Sequence, residues 1–312
     1  MTTIIDIDNA RRPGTVTAPF PWYGGKRRVA HLVWQALGDV DLYVEPFAGS
    51  LACLLARAGE PRLEVANDAD CYVANFWRAV QADPRGVARY ADWPVNEVDL
   101  YARHLWLVHT AHERIQRIRT DPHFYDAKVA GWWVWGISQW IGGRWCSPEG
   151  VGRHMPELRG QGVHAQGRRD LAGEMERLSA RLRRVKICCG DWSRVVSDGA
   201  LNNGKTVGVL LDPPYDLSER SPRLYNVDAV GISRAARDWC ARHGSSRRMR
   251  LVLCGYEGEH KMPRGWRVIQ WAGGNPGAIG GKGGRNAANR LRERLWLSPH
   301  CLDVPDAERI AA

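Results

Sequence analysis

Asp212-Pro213-Pro214-Tyr215 stands directly behind an apolar run, Val207-Gly208-Val209-Leu210-Leu211, and this junction constrains the chain more than any other stretch. The run suits a strand buried on both faces of a sheet. The two prolines end it, since neither donates a ladder hydrogen bond and each holds the residue before it extended. The product is a rigid elbow at the carboxyl end of a buried strand, carrying a carboxylate and an aromatic ring. Open α/β sheets bind their ligands at that edge.

An exocyclic amine on a nucleobase is a poor nucleophile, because its lone pair is delocalised into the ring. Two acceptors set side by side, the Asp212 carboxylate and the Pro213 carbonyl, hold both amine hydrogens and let the nitrogen aim its lone pair at an electrophile. A Tyr215 ring beside them suits stacking on a base taken out of its duplex. The same tetrapeptide also fits an ordinary strand and turn, so the rest of the chain decides.

The chain has 312 residues, room for one large α/β domain or two smaller ones. Its formal charge of +10 and its excess of Arg favour a polyanionic partner such as nucleic acid, although Arg-rich coding gives the same balance. Eight cysteines occur without a C-x-x-C pair, which argues against zinc, and no metal site is expected. No signal peptide and no apolar run of about eighteen residues is present. An intracellular, cytoplasmic protein with reduced thiols and no membrane contact is the expectation.

Taken in order, residues 1–18 read as a loose leader. Pro19-Phe20-Pro21-Trp22-Tyr23-Gly24-Gly25-Lys26 is an aromatic segment ending in a double-Gly turn and a lysine able to meet a carboxylate. A helix is predicted over 29–37 and a strand over 41–44. Glu45-Pro46-Phe47-Ala48-Gly49-Ser50 then turns into a helix over 51–58, making the first βα unit of a nucleotide-binding sheet without a G-x-G-x-x-G fingerprint. A strand over 62–66 ends at Asn67-Asp68. Asp68 is spaced to accept hydrogen bonds from ribose hydroxyls, and it also suits a helix N-cap before 69–80.

Composition shifts over 93–167. A basic helix over 101–119 carries His104, His109 and His112 without zincin spacing, and these are expected at the surface. Trp132, Trp133, Trp135 and Trp140 follow, at least two of them expected in a small satellite core. Gly142-Gly143-Arg144-Trp145 and the Gly-rich run with Arg153 suit phosphate contact, stacking and groove readout. After a helix over 171–182 and a strand over 185–189 comes Gly190-Asp191-Trp192, again an acid and an aromatic at a strand's carboxyl end. They suit an adenine amine and ring, or an ordinary turn. Ser233 is expected to cap a helix to about His243, and strands are predicted over 249–255, 266–271 and 294–297. The Gly-rich stretch 273–285, with Lys282 and Arg285, reads as a flap over phosphates or as a disordered segment.

W-Y-G-G-K at 22–26, V-E-P-F-A-G-S at 44–50, N-D at 67–68 and D-P-P-Y at 212–215, in this order, resemble the Dam-like family of DNA adenine-N6 methyltransferases. The likeness spans roughly 20–299. It implies S-adenosylmethionine as methyl donor and double-stranded DNA as partner. By position it implies cofactor contact for Trp22, Tyr23, Lys26, Glu45, Pro46, Phe47, Gly49, Asp68 and Asp212, and more loosely for Asp191 and Trp192. It implies a catalytic elbow of Asp212, Pro213, Pro214 and Tyr215. Arg144, Trp145, Arg153, Lys282 and Arg285 are the expected nucleic-acid contacts. One departure is Leu51, where the family often has a second Gly.

The expected fold is an α/β, Rossmann-like methyltransferase sheet of about seven mainly parallel strands, with a largely helical target-recognition insert. Residues 19–92 and 168–312 form the catalytic domain and 93–167 the insert, a monomer being favoured. A catalytically silent DNA-binding protein on this scaffold, or methylation of cytosine N4 or RNA, stands as the alternative.

Overall fold

Apolar runs make strands here because both of their faces are covered. The protein is a computed structural model describing residues 16–22, 24–59, 62–143, 145–148, 150, 155–165, 170–215, 231–271, 292–305 and 309–310. In chain order its elements are α1 (Ala30–Leu37), β1 (Leu42–Glu45), α2 (Ala52–Leu55), β2 (Leu63–Asp68), α3 (Cys71–Ala82) and α4 (Pro84–Ala91). Next come α5 (Glu97–Trp106), α6 (His112–Ile115), α7 (Ala127–Ile137), α8 (Leu171–Leu182), β3 (Val185–Cys189) and β4 (Val207–Leu211). The last are α9 (Ile232–His243), β5 (Met249–Tyr256), β6 (Arg267–Gln270), β7 (Glu293–Leu297) and β8 (Arg309–Ile310).

All seven predicted strands form, joined by the two-residue β8 at one edge. The sheet order is β3-β2-β1-β4-β5-β7-β6-β8. The strands from β3 to β5 run parallel, and β7 lies antiparallel between β5 and β6. Side chains alternate between the faces as the pleat requires. Leu42, Val44, Val209 and Leu211 pack with Ala236 and Trp239 of α9, while Tyr43, Ala66, Leu210 and Val252 pack beneath α1, α3, α7 and α8. Every residue of β4 is buried. Gly208 is small for a reason: a Cβ there would stand 3.0 Å from Val40 Cγ2.

The order creates the crevice. From β1 the chain steps outward through β2 to β3, then returns to lay β4 on the other flank of β1, in register Leu42↔Val207 and Val44↔Val209. Strand order reverses between β1 and β4, and ligands of open sheets enter outside the carboxyl ends at that point. Glu45-Pro46 leaves one side of it and Asp212-Pro213 the other.

Among the described residues, 93–165 holds helices and turns and no strand. The predicted helix over 101–119 is broken into the end of α5, a π turn at Leu107–Ala111, α6 and a 3-10 turn at Gln116–Arg119. The tryptophans do not form a satellite core. Trp133, Trp135, Trp140 and Trp145 join the same apolar cluster as Leu37 and Phe76, because α7 packs directly on α3 and α4. His104 is likewise buried, its ring stacked on Trp140 at 4.8 Å and its Nδ1 accepting the Cys146 N–H. The α9 helix starts from Gly231 rather than Ser233, whose hydroxyl instead bonds Glu259. No described helix is long and apolar enough to cross a membrane.

Candidate active site

Asp212 leaves the end of β4, and the first group it meets comes from far earlier in the chain. Gly24-Gly25 turns the backbone into a 3-10 turn at Lys26–Arg28. The Lys26 Nζ donates to Asp212 Oδ1 at 2.7 Å and to the Gly24 carbonyl at 2.7 Å. Burial opposes both charges, drawing the lysine down and pushing the Asp212 carboxyl up. For Lys26 the neighbouring Asp212 and Glu293 outweigh burial and hold the ammonium above its ordinary range, so the lysine is charged. Lys26 is 4% exposed and the Asp212 side chain 22%, which makes the carboxylate the open end of a sealed pair.

Tyr215 is fixed from three sides. Its hydroxyl donates to Glu293 Oε2 at 2.7 Å, its ring meets Tyr256 edge-on at 4.6 Å, and the Lys26 ammonium lies 5.3 Å from its centroid. Burial pushes the Glu293 carboxyl up while Lys26 pulls it back. Glu293 was not anticipated from the sequence, yet a signal exists. On β7 it shares a face with Leu295 and Leu297, both in the core, so an acid sits at an inward position of a period-two strand. An inward acid needs partners, and here they are the elbow's own residues.

The turn after β1 is shaped by close approach. Gly49 has φ +46°, and a Cβ on it would overlap the Trp22 indole. Its N–H donates to Asp68 Oδ2 at 2.9 Å and its carbonyl accepts the Trp77 indole N–H. Leu51, the departure noted above, has φ +54° and is fully buried. Left-handed backbone costs a non-Gly residue roughly 1–2 kcal/mol, and full burial of a Leu side chain returns about 1.5–3 kcal/mol. The turn therefore tolerates Leu51.

Asp68 ends β2, and its two oxygens accept the Gly49 and Asp70 N–H groups. Burial first, and the charge of Asp70 second, push its carboxyl up to about 7. Beside it Asn67 ties three strand ends together, donating to the Pro46 and Gly190 carbonyls at 3.0 Å each. Its own Oδ1 is buried without a hydrogen bond. Phe47 and Trp192, both partly exposed, stack at 5.7 Å. Asp191 caps the turn that follows β3, accepting the Ser193 N–H. An edge carrying Asp68, Asp212 and Glu293, with one ammonium among them, suits a cationic ligand.

Two predicted contacts take other places. Trp145 is 4% exposed, with its indole N–H donated to the Trp133 carbonyl at 3.0 Å and its ring filling the slot left by Gly136. Its ring packs within the main apolar core. Glu45 turns inward at 3% exposure, its Oε1 accepting the Tyr43 hydroxyl at 2.6 Å and the Leu54 N–H at 2.8 Å, and so braces the turn. Tyr23, Arg144, Arg153, Lys282, Arg285, the segment 1–15 and the Gly-rich stretch 273–285 lie outside the described residues.

Burial pushes the Glu45 carboxyl up to about 8. The folded state then holds this proton where the unfolded chain, with a pKa near 4.3, has released it. Between those values stability falls as pH rises. Asp68, raised to about 7, acts in the same direction. Thermal unfolding scanned from pH 5 to pH 8 is expected to show a falling midpoint, and Glu45→Gln, which keeps the acceptor oxygen, a shallower fall. An unchanged slope in that variant would contradict the assignment.

No curated protein matches the chain. The model of the D12 class N6 adenine-specific DNA methyltransferase family matches residues 22–119. That segment holds W-Y-G-G-K, V-E-P-F-A-G-S and N-D, while D-P-P-Y lies beyond it and is joined to it by the Lys26–Asp212 contact. Over residues 22–119 the chain is therefore similar to the D12 class N6 adenine-specific DNA methyltransferase family.

Proposed function

We propose that this protein transfers a methyl group from S-adenosylmethionine to the exocyclic N6 amine of an adenine turned out of double-stranded DNA. The observation that supports it best is the 2.7 Å contact between Lys26, inside the family-matched segment, and Asp212, at the elbow outside it. When bound, S-adenosylmethionine supplies a methyl carbon activated by its sulfonium charge. Trp22, Pro46, Phe47, Gly49, Asp68, Asp191 and Trp192 line the strand ends on which it is held, with Glu45 bracing the turn beneath. Asp68 accepts ribose hydroxyls, and the net negative charge of the edge favours a cation.

Asp212 and the Pro213 carbonyl accept the two amine hydrogens and keep the nitrogen lone pair pointing at the electrophile. Lys26 stops the carboxylate from swinging away. Pro213 and Pro214 make the elbow stiff, so little order is left to impose when the base arrives. Tyr215, with its hydroxyl anchored on Glu293, offers an aromatic ring against the base. The surplus amine proton passes to the Asp212 carboxylate, whose proton affinity burial has raised. Residues 93–167 form the DNA-reading part, Arg144, Arg153, Lys282 and Arg285 contribute nucleic-acid contacts, and the protein acts as a monomer.

The test is radiolabelled S-adenosylmethionine offered to unmethylated DNA, RNA and protein side by side. Label in DNA is the expected result. Label confined to RNA or protein, or to none of the three, would contradict the proposal.

A further inference from the structure

Two thiols stand face to face beside the cofactor edge. Cys71 is the first residue of α3, directly after the Asp68–Asp70 turn, and Cys189 is the last residue of β3, directly before Gly190-Asp191. Their sulfurs are 3.5 Å apart, and both thiols are free. Cys71 is 4% exposed, with the Gln116 side-chain oxygen 3.4 Å from its sulfur as a competing acceptor for the one thiol hydrogen, while Cys189 is partly open. Arg119 lies beside both sulfurs and is exposed. The hydrogen bond from Cys71, followed by Arg119, draws the Cys189 thiol below its ordinary range against burial. A lowered, accessible thiol next to a second one has the arrangement of an attacking cysteine and its resolving partner. Of the remaining six cysteines only Cys188 is partly exposed.

We propose that Cys71 and Cys189 are a paired oxidation site in the wall of the cofactor edge, closing to a disulfide when a low-molecular-weight disulfide reaches Cys189 and so weakening cofactor binding. The Cys189 thiolate attacks one sulfur of the reagent, forming a mixed disulfide and releasing one small thiol. Cys71 gives up its proton and attacks the Cys189 sulfur, forming the Cys71–Cys189 bond and releasing the second. Two electrons pass from the protein to the reagent, and its two sulfurs leave as thiols.

The coupling to the cofactor edge follows from connectivity. A disulfide needs its sulfurs at about 2.05 Å, so the start of α3 must close on the end of β3 and release Gln116. Asp68 is the register partner of Cys189 and its Oδ1 accepts the N–H of Asp70, the residue before Cys71. Any shift of Cys71 is thus passed to the carboxylate assigned to the ribose. The effect on binding rests on the methyltransferase reading above, whereas formation of the bond does not.

The test treats the full-length protein with oxidised glutathione, maps disulfides by peptide mass spectrometry, and measures S-adenosylmethionine binding by calorimetry before and after, and again after dithiothreitol. A Cys71–Cys189-linked peptide, binding weakened about tenfold or more, and recovery on reduction are expected. Cys189→Ser should show no loss on the same treatment, whereas Cys71→Ser, lacking the resolving thiol, should stop at a Cys189–glutathione mixed disulfide with no linked peptide. Absence of the linked peptide would overturn the proposal, as would a linked protein that binds as tightly as the reduced one. If the linked peptide forms but even the reduced protein binds no S-adenosylmethionine, the methyltransferase reading fails, and with it the proposed effect on binding, while the oxidation site stands.

Discussion

Replacing Asp212 with Ala is expected to lower methyl transfer by about a thousandfold or more while DNA binding is nearly unchanged. The size comes from the kind of interaction removed. Preorganised groups aimed at a reacting atom typically account for about 10²- to 10³-fold each, and in the proposed mechanism Asp212 both orients the amine and takes its proton. DNA affinity should survive because it rests on phosphate contacts spread over the surface. The substitution also strips Lys26 of its carboxylate, so Asp212→Asn is the companion variant. It keeps an oxygen acceptor and the side-chain shape but takes no proton, and it should fold well and still fail in turnover. Rates from single-turnover assays, with DNA affinity from fluorescence anisotropy, separate the two effects. Turnover within tenfold of the parent protein in Asp212→Asn would remove Asp212 from the mechanism.

Lys26→Met is expected to damage the fold as well as the chemistry. The ammonium is 4% exposed and serves Asp212 directly and Glu293 through the local field. Taking away one partner of a buried pair typically costs about 3–5 kcal/mol. The lower end applies here, since Asp212 keeps 22% of its side chain open to solvent screening. The consequence is a drop in the thermal midpoint of several degrees, larger at pH 8 than at pH 5. At the lower pH the abandoned carboxyls, already pushed up by burial, take protons and cease to be charged. A midpoint that falls equally at both pH values would show that the methionine disturbs packing and that the ion pair is not what is lost.

What could be read from the sequence, and what could not, divides along physical lines. A parallel strand buried on both faces appears as an uninterrupted apolar run, and β4 was legible for that reason. The prolines of the elbow and the glycines of the Trp22–Lys26 and Glu45–Ser50 turns act locally, so their effects could be deduced. Tryptophan could not be resolved in the same way, because a ring that packs and a ring that stacks on a base are the same residue. Gly136 is what makes room for Trp145, and nothing local announces that slot. The α4 helix was missed although Asp83-Pro84 is a capping signal, with the Asp83 carboxylate accepting the Gly86 N–H. Glu293 was missed because its partners, Tyr215 and Lys26, are brought to it only by the sheet order.

That order is also why the site is more than its motifs. The elbow on β4, the acid on β2 and the lysine before α1 are distant in sequence, and strand reversal beside β1 collects them. The central claim is that this collection acts on one atom, the N6 of adenine. Its most direct measurement is mass spectrometry of nucleosides from unmethylated DNA incubated with S-adenosylmethionine and the protein. N6-methyldeoxyadenosine as the sole new nucleoside, absent with Asp212→Asn, is the predicted result. N4-methyldeoxycytidine in its place, or N6-methyldeoxyadenosine persisting at full yield in the variant, would contradict the account.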